Sequence, residues 1–407
     1  MPREGRVKLG IVYHMPFWRD ADGTLREVEG SFARYVDSLA PYFDEVMLCV
    51  PVLSAPRGDG TPVRSANVML APLPPFDGPV HFYPQLPRMI VRLFRFVRSI
   101  DVLHCRVPTP AAVFASAIAG LLGRPRFVLI VGDLQALLPM LPYRGLKRRL
   151  WRMYTAFEER NVQRMAERSL AFANGAALAG KHSRPAHPVI QTQTTTIGAA
   201  DIDDRIDTFT SPSIRLLTVS RIDPRKNLRV LPEMLRRLTT RSGGVSLDII
   251  GPAVGAPGEA ERAGIERDSA ANGAALRLLG AIPLDRLLNL YGEYDAFILP
   301  AGPGEGVPRV LLEAMASGLP IVTTKVAGIP SLITHEINGL LVEPAASSLA
   351  DAVERLIADP TLRRRLIANG YNTARGYTLE AQAARMLSEV SARLRLALKQ
   401  PATVPVA

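Results

Sequence analysis

The sequence predicts an α/β chain of two doubly wound domains, each a parallel sheet covered by helices on both faces. Three observations predict it. Short apolar runs rich in β-branched residues alternate with helix-length amphipathic segments from end to end, the pattern of parallel strands buried on both sides. The runs fall into two sets separated by a polar stretch, so two sheets are expected. The length of 407 residues exceeds what one core ordinarily serves, and a hydrophobic content of 47% is enough for two.

In the first set the strand runs are 7–13, 46–50, 102–105, 127–131 and 170–173. In the second they are 214–219, 245–250, 276–279, 296–299, 320–323 and 340–342. Between the sets lies the polar stretch 201–213, DIDDRIDTFTSPS, which reads as the linker. The expected domains are 1–205, joined by a returning helix at 379–398, and 206–378. No fixed-period repeat or low-complexity tract interrupts this order.

Composition excludes several classes. No run of about 18 uncharged apolar residues reads as a membrane span. The opening MPREGRVKLGIVYH lacks the apolar core and small-residue cleavage site of a signal peptide, so a cytoplasmic chain is expected. Cys49 and Cys105 lack metal or redox spacing, which argues against a disulfide framework and a closed zinc site. The formal net charge is +11 and is placed unevenly. Residues 1–200 carry 25 Lys/Arg against 15 Asp/Glu, and residues 201–407 carry 24 against 23. The first half should therefore meet something anionic, a membrane surface or a lipid diphosphate in preference to nucleic acid.

The densest chemistry lies at residues 301–320, AGPGEGVPRVLLEAMASGLP. A Gly-rich loop follows a strand and opens a helix. Pro308 suits the first helical position, and Gly318-Leu319-Pro320 stops the helix before the next strand. Free amides and the helix dipole favour an anion such as a diphosphate at that N-terminus. Glu305 and Glu313 would repel that anion if they touched it, so they fit as acceptors for hydroxyl protons. Glu305, ahead of the helix, suits a sugar ring beyond the phosphates. Glu313, tilted back toward the N-terminus, suits a ribose.

This stretch resembles the E-x7-E motif of retaining GT-B glycosyltransferases, the group-1 or GT4-like family. The resemblance implies two Rossmann-like domains facing a central cleft, with a C-terminal cross-over helix. It implies that Glu305 contacts the donor sugar, that Glu313 holds the ribose, and that Gly306 and the amides of Val307, Arg309 and Val310 meet the diphosphate. A second stretch, Ser220-Arg221-Ile222-Asp223-Pro224-Arg225-Lys226-Asn227, resembles the family's G-R-L-x-x-x-K-[GN] loop, with Ser220 where Gly is usual. Arg221 and Lys226 then neutralise the leaving diphosphate, where charge grows in the transition state. Arg225 is the less favoured substitute for Lys226. Gly280-Ala281-Ile282-Pro283 matches the loop that faces the nucleobase, and 196–201 a degraded form of the family's linker stretch.

The first half resembles the family less. Gly30-Ser31, after the loop 14–29, is the nearest candidate for a Gly-rich phosphate loop, and it also reads as a helix cap. Val131-Gly132-Asp133 stands where relatives often place a His. Asp133 can hold a substrate hydroxyl or cap the next helix. His104 is expected at a strand end as a second acceptor-side candidate, or as a structural residue. Two segments, LPRMIVRLFRFVRS with Arg88, Arg92 and Arg95, and RGLKRRLWR with Lys147, Arg148, Arg149 and Arg152, read as basic amphipathic helices. They can lie on anionic lipid or simply present a solvated basic face.

The expected function is transfer of a hexosyl-type sugar from a nucleotide-sugar donor to a glycan, lipid-linked or small-molecule acceptor, with retention, no metal and no other cofactor. The expected location is cytoplasmic, peripheral on the inner face of the membrane. Two other classes remain open. One is an epimerase or phosphorylase on the same architecture; the other is a non-enzymatic basic protein that binds membrane or nucleic acid. A dinucleotide-dependent dehydrogenase is disfavoured, because no G-x-G-x-x-G follows the first strand.

Overall fold

The computed structural model describes residues 6–28, 30–56, 58, 60–138, 143–242, 244–302, 307–326 and 328–401. The chain forms two compact units, residues 1–194 with 382–407 and residues 195–381. Each is built on a parallel sheet.

The strands of unit 1 are β1 (Lys8–Val12), β2 (Phe17–Arg19), β3 (Leu25–Glu27), β4 (Glu45–Cys49), β5 (Thr61–Pro62), β6 (Val68–Leu70), β7 (Val102–Val107), β8 (Arg126–Ile130), β9 (Leu170–Asn174) and β10 (Ile190–Thr192). Seven form the main sheet in the order β10-β9-β8-β7-β1-β4-β6. Its register sets Leu9 against Val46 on one side and Val102 on the other. β7 is buried at all six positions, as a central parallel strand must be. The helices are α1 (Ser31–Leu39), α2 (Gly78–Phe82), α3 (Leu86–Ser99), α4 (Pro110–Leu121), α5 (Leu134–Leu137), α6 (Gly145–Glu167) and α7 (Ala176–His182). α3 and α4 cover one face, with Met89, Leu93, Phe96, Ala112 and Ala115 packed on Cys105 and Val107. The long loop expected at 14–29 instead holds β2 and β3, and β3 pairs antiparallel with β2 on one side and β5 on the other.

Unit 2 contains β11 (Ile214–Val219), β12 (Val245–Ile250), β13 (Leu276–Gly280), β14 (Ala296–Leu299), β15 (Ile321–Thr324) and β16 (Leu340–Val342), in the order β13-β12-β11-β14-β15-β16. Its helices are α8 (Leu231–Ser242), α9 (Gly255–Asn272), α10 (Leu284–Tyr291), α11 (Arg309–Ala316), α12 (Ala346–Ala358) and α13 (Pro360–Arg375). A last helix, α14 (Leu379–Leu394), starts in unit 2 and belongs to unit 1 from Gln382.

The stretch 201–213 is not a free linker. Asp203 donates its amide to Ala316 O at 2.8 Å, and Thr208 Oγ1 donates to Asp295 O at 2.5 Å. Asp207 receives Nε and Nη2 of buried Arg363 at 2.8 and 3.0 Å. The unit boundary therefore falls earlier, between Thr194 and Thr195.

Candidate functional site

The strand order of unit 2 reverses beside β11, where β12 departs to one side and β14 to the other. In an open parallel sheet that reversal leaves a crevice at the carboxyl ends of the two strands, the general position for a ligand. The loops leaving these strands are the two stretches singled out in the sequence, 220–227 and the one beginning at Ala301. They are joined there, because Gly302 donates its amide to Arg225 O at 3.0 Å. A Cβ on Gly302 would lie 2.6 Å from that oxygen, so only glycine allows the approach. Gly251, after β12, crosses Ser220 under the same constraint, with φ +144 and a would-be Cβ 2.1 Å from Ser220 O.

Within the first loop, Asp223 caps the turn Pro224–Lys226 and binds the Arg225 guanidinium through Nε and Nη2 at 3.0 and 2.9 Å. Burial opposes ionisation of Asp223, but the bonds and charge of Arg225 prevail and hold its carboxyl below the ordinary value. Arg225 is thus tied down. Arg221 is exposed just beyond β11, and Lys226 is half-buried where Asn227 turns left-handed at φ 54.

α11 begins at Arg309, with Pro308 at the cap position, one residue earlier than its expected place inside the helix. The amides of Arg309 and Val310 occupy the first two helical positions, which have no intrahelical acceptor. The far end closes as expected: Gly318 N reaches Met315 O at 3.1 Å and Leu319 N reaches Ala314 O at 2.9 Å, the paired bonds of a Schellman stop.

Glu313 is 4% exposed. One carboxylate oxygen accepts Thr196 Oγ1 at 2.5 Å and the other accepts the Tyr291 hydroxyl at 2.8 Å. Burial, then the Glu313 charge and bond, push the Tyr291 phenol well above its ordinary range, so it stays protonated and donates. Each carboxylate oxygen keeps a second lone pair. Neither Thr196 nor Tyr291 was singled out in this role from the sequence. Ile282 is half-buried in the loop after β13, packed on the same core as Val307 and Val310. Glu305 and Gly306 lie outside the described residues.

In unit 1 the candidates take the structural alternatives left open for them. Gly30 does open α1, at φ 86, but the amides beyond it are engaged. Glu27 Oε2 accepts Phe32 N at 2.9 Å and Ala33 N at 2.8 Å, filling the anion position at that helix start with the chain's own carboxylate. His104 is not at a strand end. It sits inside β7, fully buried, bonded to the Tyr35 hydroxyl at 2.9 Å and stacked on Phe127 at 4.4 Å. Burial first and the Arg106 charge second lower its pKa to about 3, so it is a neutral core group. Asp133 caps α5, accepting Gln135 N at 2.9 Å and Ala136 N at 3.1 Å, and its other oxygen takes Lys181 Nζ at 2.7 Å. Asp133 thus caps the next helix.

Two units with Rossmann strand order, the second carrying a polar loop pair at its switch point, make this a GT-B fold. Residues 201–373, inside unit 2, match the family described as glycosyl transferases group 1, and the chain carries a domain of that family. The structure is similar to a glycosyltransferase from Rickettsia africae, with a TM-score of 0.69 and 14% identity, over 97% of this chain and 100% of that one. It is also similar to Anabaena HepE solved in complex with UDP-glucose, with a TM-score of 0.65 and 16% identity, over 94% and 99%. In sequence it is 35% identical over 152 residues to the amylovoran biosynthesis glycosyltransferase AmsK of Erwinia amylovora, covering 35% of this chain and 36% of that protein. The match thus spans about a third of that relative's length. No described helix is long and apolar enough to cross a membrane.

Proposed function

We propose that this protein transfers a hexosyl-type group from a nucleotide-sugar to a glycan, lipid-linked or small-molecule acceptor, with retention at the anomeric carbon. The observation that carries the reading is the Gly302–Arg225 bond, which joins the loop of Arg221 and Lys226 to the loop that opens α11 at the switch point of unit 2. Arg221 and Lys226 supply positive charge there, and the amides of Val307, Arg309 and Val310 supply donors for the diphosphate. Glu305 accepts hydroxyls of the donor sugar and Glu313 those of the ribose. The Ile282 loop faces the base, and Asp133 remains a candidate on the acceptor side. The HepE structure with UDP-glucose supports a nucleotide-sugar as donor, and AmsK supports polysaccharide assembly as the setting.

In the reaction the bond from the anomeric carbon to phosphate oxygen breaks and a bond to the acceptor oxygen forms. The acceptor proton passes to a departing phosphate oxygen, and nucleoside diphosphate leaves. Protein cations and amides stabilise that leaving group, so the proposal needs no metal. Acceptor-dependent release of nucleoside diphosphate from a panel of nucleotide sugars, unchanged by chelator, tests it. Release or isomerisation that ignores the acceptor would instead make the protein a hydrolase or epimerase.

The proposed partner of unit 1 is an anionic membrane surface at the cytoplasmic leaflet, with no nucleic acid involved. Exposed Leu146, Leu150, Met153 and Phe157 stand on α6 among exposed Lys147, Arg148, Arg149 and Arg152, which favours a lipid surface over a merely solvated face.

A further inference from the structure

The sheet of unit 1 has its own reversal of strand order, between β4 and β7 on either side of β1. Near its carboxyl edge sits a charged group in an unusual state. Arg106, the penultimate residue of β7, is 6% exposed, and its Nε and Nη1 are buried with no hydrogen-bond partner. It makes no ion pair among the described residues. Its guanidinium carbon lies instead 5.0 Å from the ring centre of Tyr13, 5.3 Å from Phe32 and 4.7 Å from Tyr35. Three aromatic faces steady the charge, but they leave the Nε and Nη1 donors unanswered. Buried charge without a counter-ion is costly, and guanidinium donors left open in this way call for an anionic oxygen, carboxylate or phosphate.

Among the described residues no carboxylate is hydrogen-bonded to it. Glu27 spends one carboxylate oxygen on the amides of Phe32 and Ala33. His14, just past β1, has an unpartnered Nδ1; burial first and Arg106 second lower its pKa to about 4, so it is a neutral imidazole at neutral pH. Thr109 stands at the cap position of α4, yet its hydroxyl, on a residue 3% exposed, makes no cap bond and has no partner. Buried polar groups are ordinarily satisfied, and three unsatisfied ones at the carboxyl ends of the paired strands β1 and β7 need a reason.

We propose that Arg106 anchors a second binding site, in unit 1, for an anionic oxygen group, phosphate or carboxylate, carried by the sugar acceptor. That the carrier is an acceptor rests on the transferase reading; the anion site itself does not. The test uses the full-length protein with the donor loop silenced by Arg221→Ala and Lys226→Ala. Inorganic phosphate, glucuronate and neutral glucose are titrated by calorimetry and by melting temperature. Phosphate or glucuronate should bind and raise the melting temperature while glucose does neither. Arg106→Met should weaken that binding at least tenfold, Arg106→Lys should retain part of it, and Thr109→Val should weaken it less than Arg106→Met. The stronger probe tells a phosphorylated acceptor from an acidic one. The site is overturned if neither anion binds the parent, or if Arg106→Met and Arg106→Lys both leave the binding unchanged. With the donor loop intact, an equal loss of nucleoside diphosphate affinity in Arg106→Met and Arg221→Ala would give Arg106 to the donor and overturn the acceptor assignment. Anion binding that depends on Arg106 in a protein without transferase activity would uphold the site and remove only the acceptor as its carrier.

Discussion

Glu305 and Glu313 share one motif but have different proposed roles, and their substitution should separate them. Glu305→Gln should lower turnover on the order of 10²–10³-fold with melting unchanged, the scale expected when a transition-state contact is removed. Glu313→Ala should lose stability as well, because it leaves the buried hydroxyls of Thr196 and Tyr291 without acceptors, at about 1–3 kcal/mol for each. Turnover of Glu305→Gln within a few-fold of the parent would sink the assignment. The phosphate loop gives a second contrast. Arg221→Ala or Lys226→Ala should weaken nucleoside diphosphate binding and leave free nucleoside untouched by calorimetry, whereas Arg225→Ala should chiefly loosen the turn that Asp223 holds. The motif spacing that exposed Glu305, Glu313, Arg221 and Lys226 is local, so it was readable in the chain. The partners were not: Thr196 stands 117 positions from Glu313 and Lys181 stands 48 from Asp133. No local pattern announces a bond across that distance, and the same holds for Glu27 folding back onto the start of α1.

Elements were legible where their period was long enough to repeat. Parallel strands of four to six buried residues stood out, and α10 and the stop of α11 followed from their punctuation. The strands Phe17–Arg19, Leu25–Glu27 and Thr61–Pro62 did not, since two or three residues cannot establish an alternation. α6 was read as a basic amphipathic helix, yet it also carries Glu158, which is 1% exposed and has one carboxylate oxygen without a partner. Burial lifts that carboxyl to about 7. The folded chain therefore holds the proton more tightly than the unfolded one. The resulting stability is complete below the unfolded value of 4.5 and is lost as pH rises through about 7, roughly 3 kcal/mol in all. Denaturant melts at pH 5 and pH 8 should show that loss, and Glu158→Gln should flatten it. A parent with the same slope as Glu158→Gln would contradict the buried acid.

At the scale of the molecule, the charge asymmetry leads to a prediction about surfaces. Each basic group near anionic lipid contributes on the order of 1 kcal/mol, and salt screens it. Co-sedimentation with anionic vesicles should show binding that fades as salt rises and weakens on Arg148→Glu. A chain that ignores such vesicles at low salt would leave the basic half to an anionic acceptor alone. The division into two sheets was legible from the two sets of runs. The boundary was not, because 201–213 looks polar and loose until Asp207 meets Arg363, 156 positions away. The path of the chain has one further result. Unit 1 is interrupted in sequence: Met386, Leu387 and Val390 of α14 are buried in it, and Met386 Sδ accepts the Tyr35 hydroxyl at 3.7 Å. On a ribosome the half that emerges first must therefore wait with part of its core uncovered until α14 has been made. Unit 2 has all its strands before then and can close earlier. A chain ended at residue 381 and released should resist protease across unit 2 while still being cut in unit 1, so synthesis order and completion order are inverted in this protein.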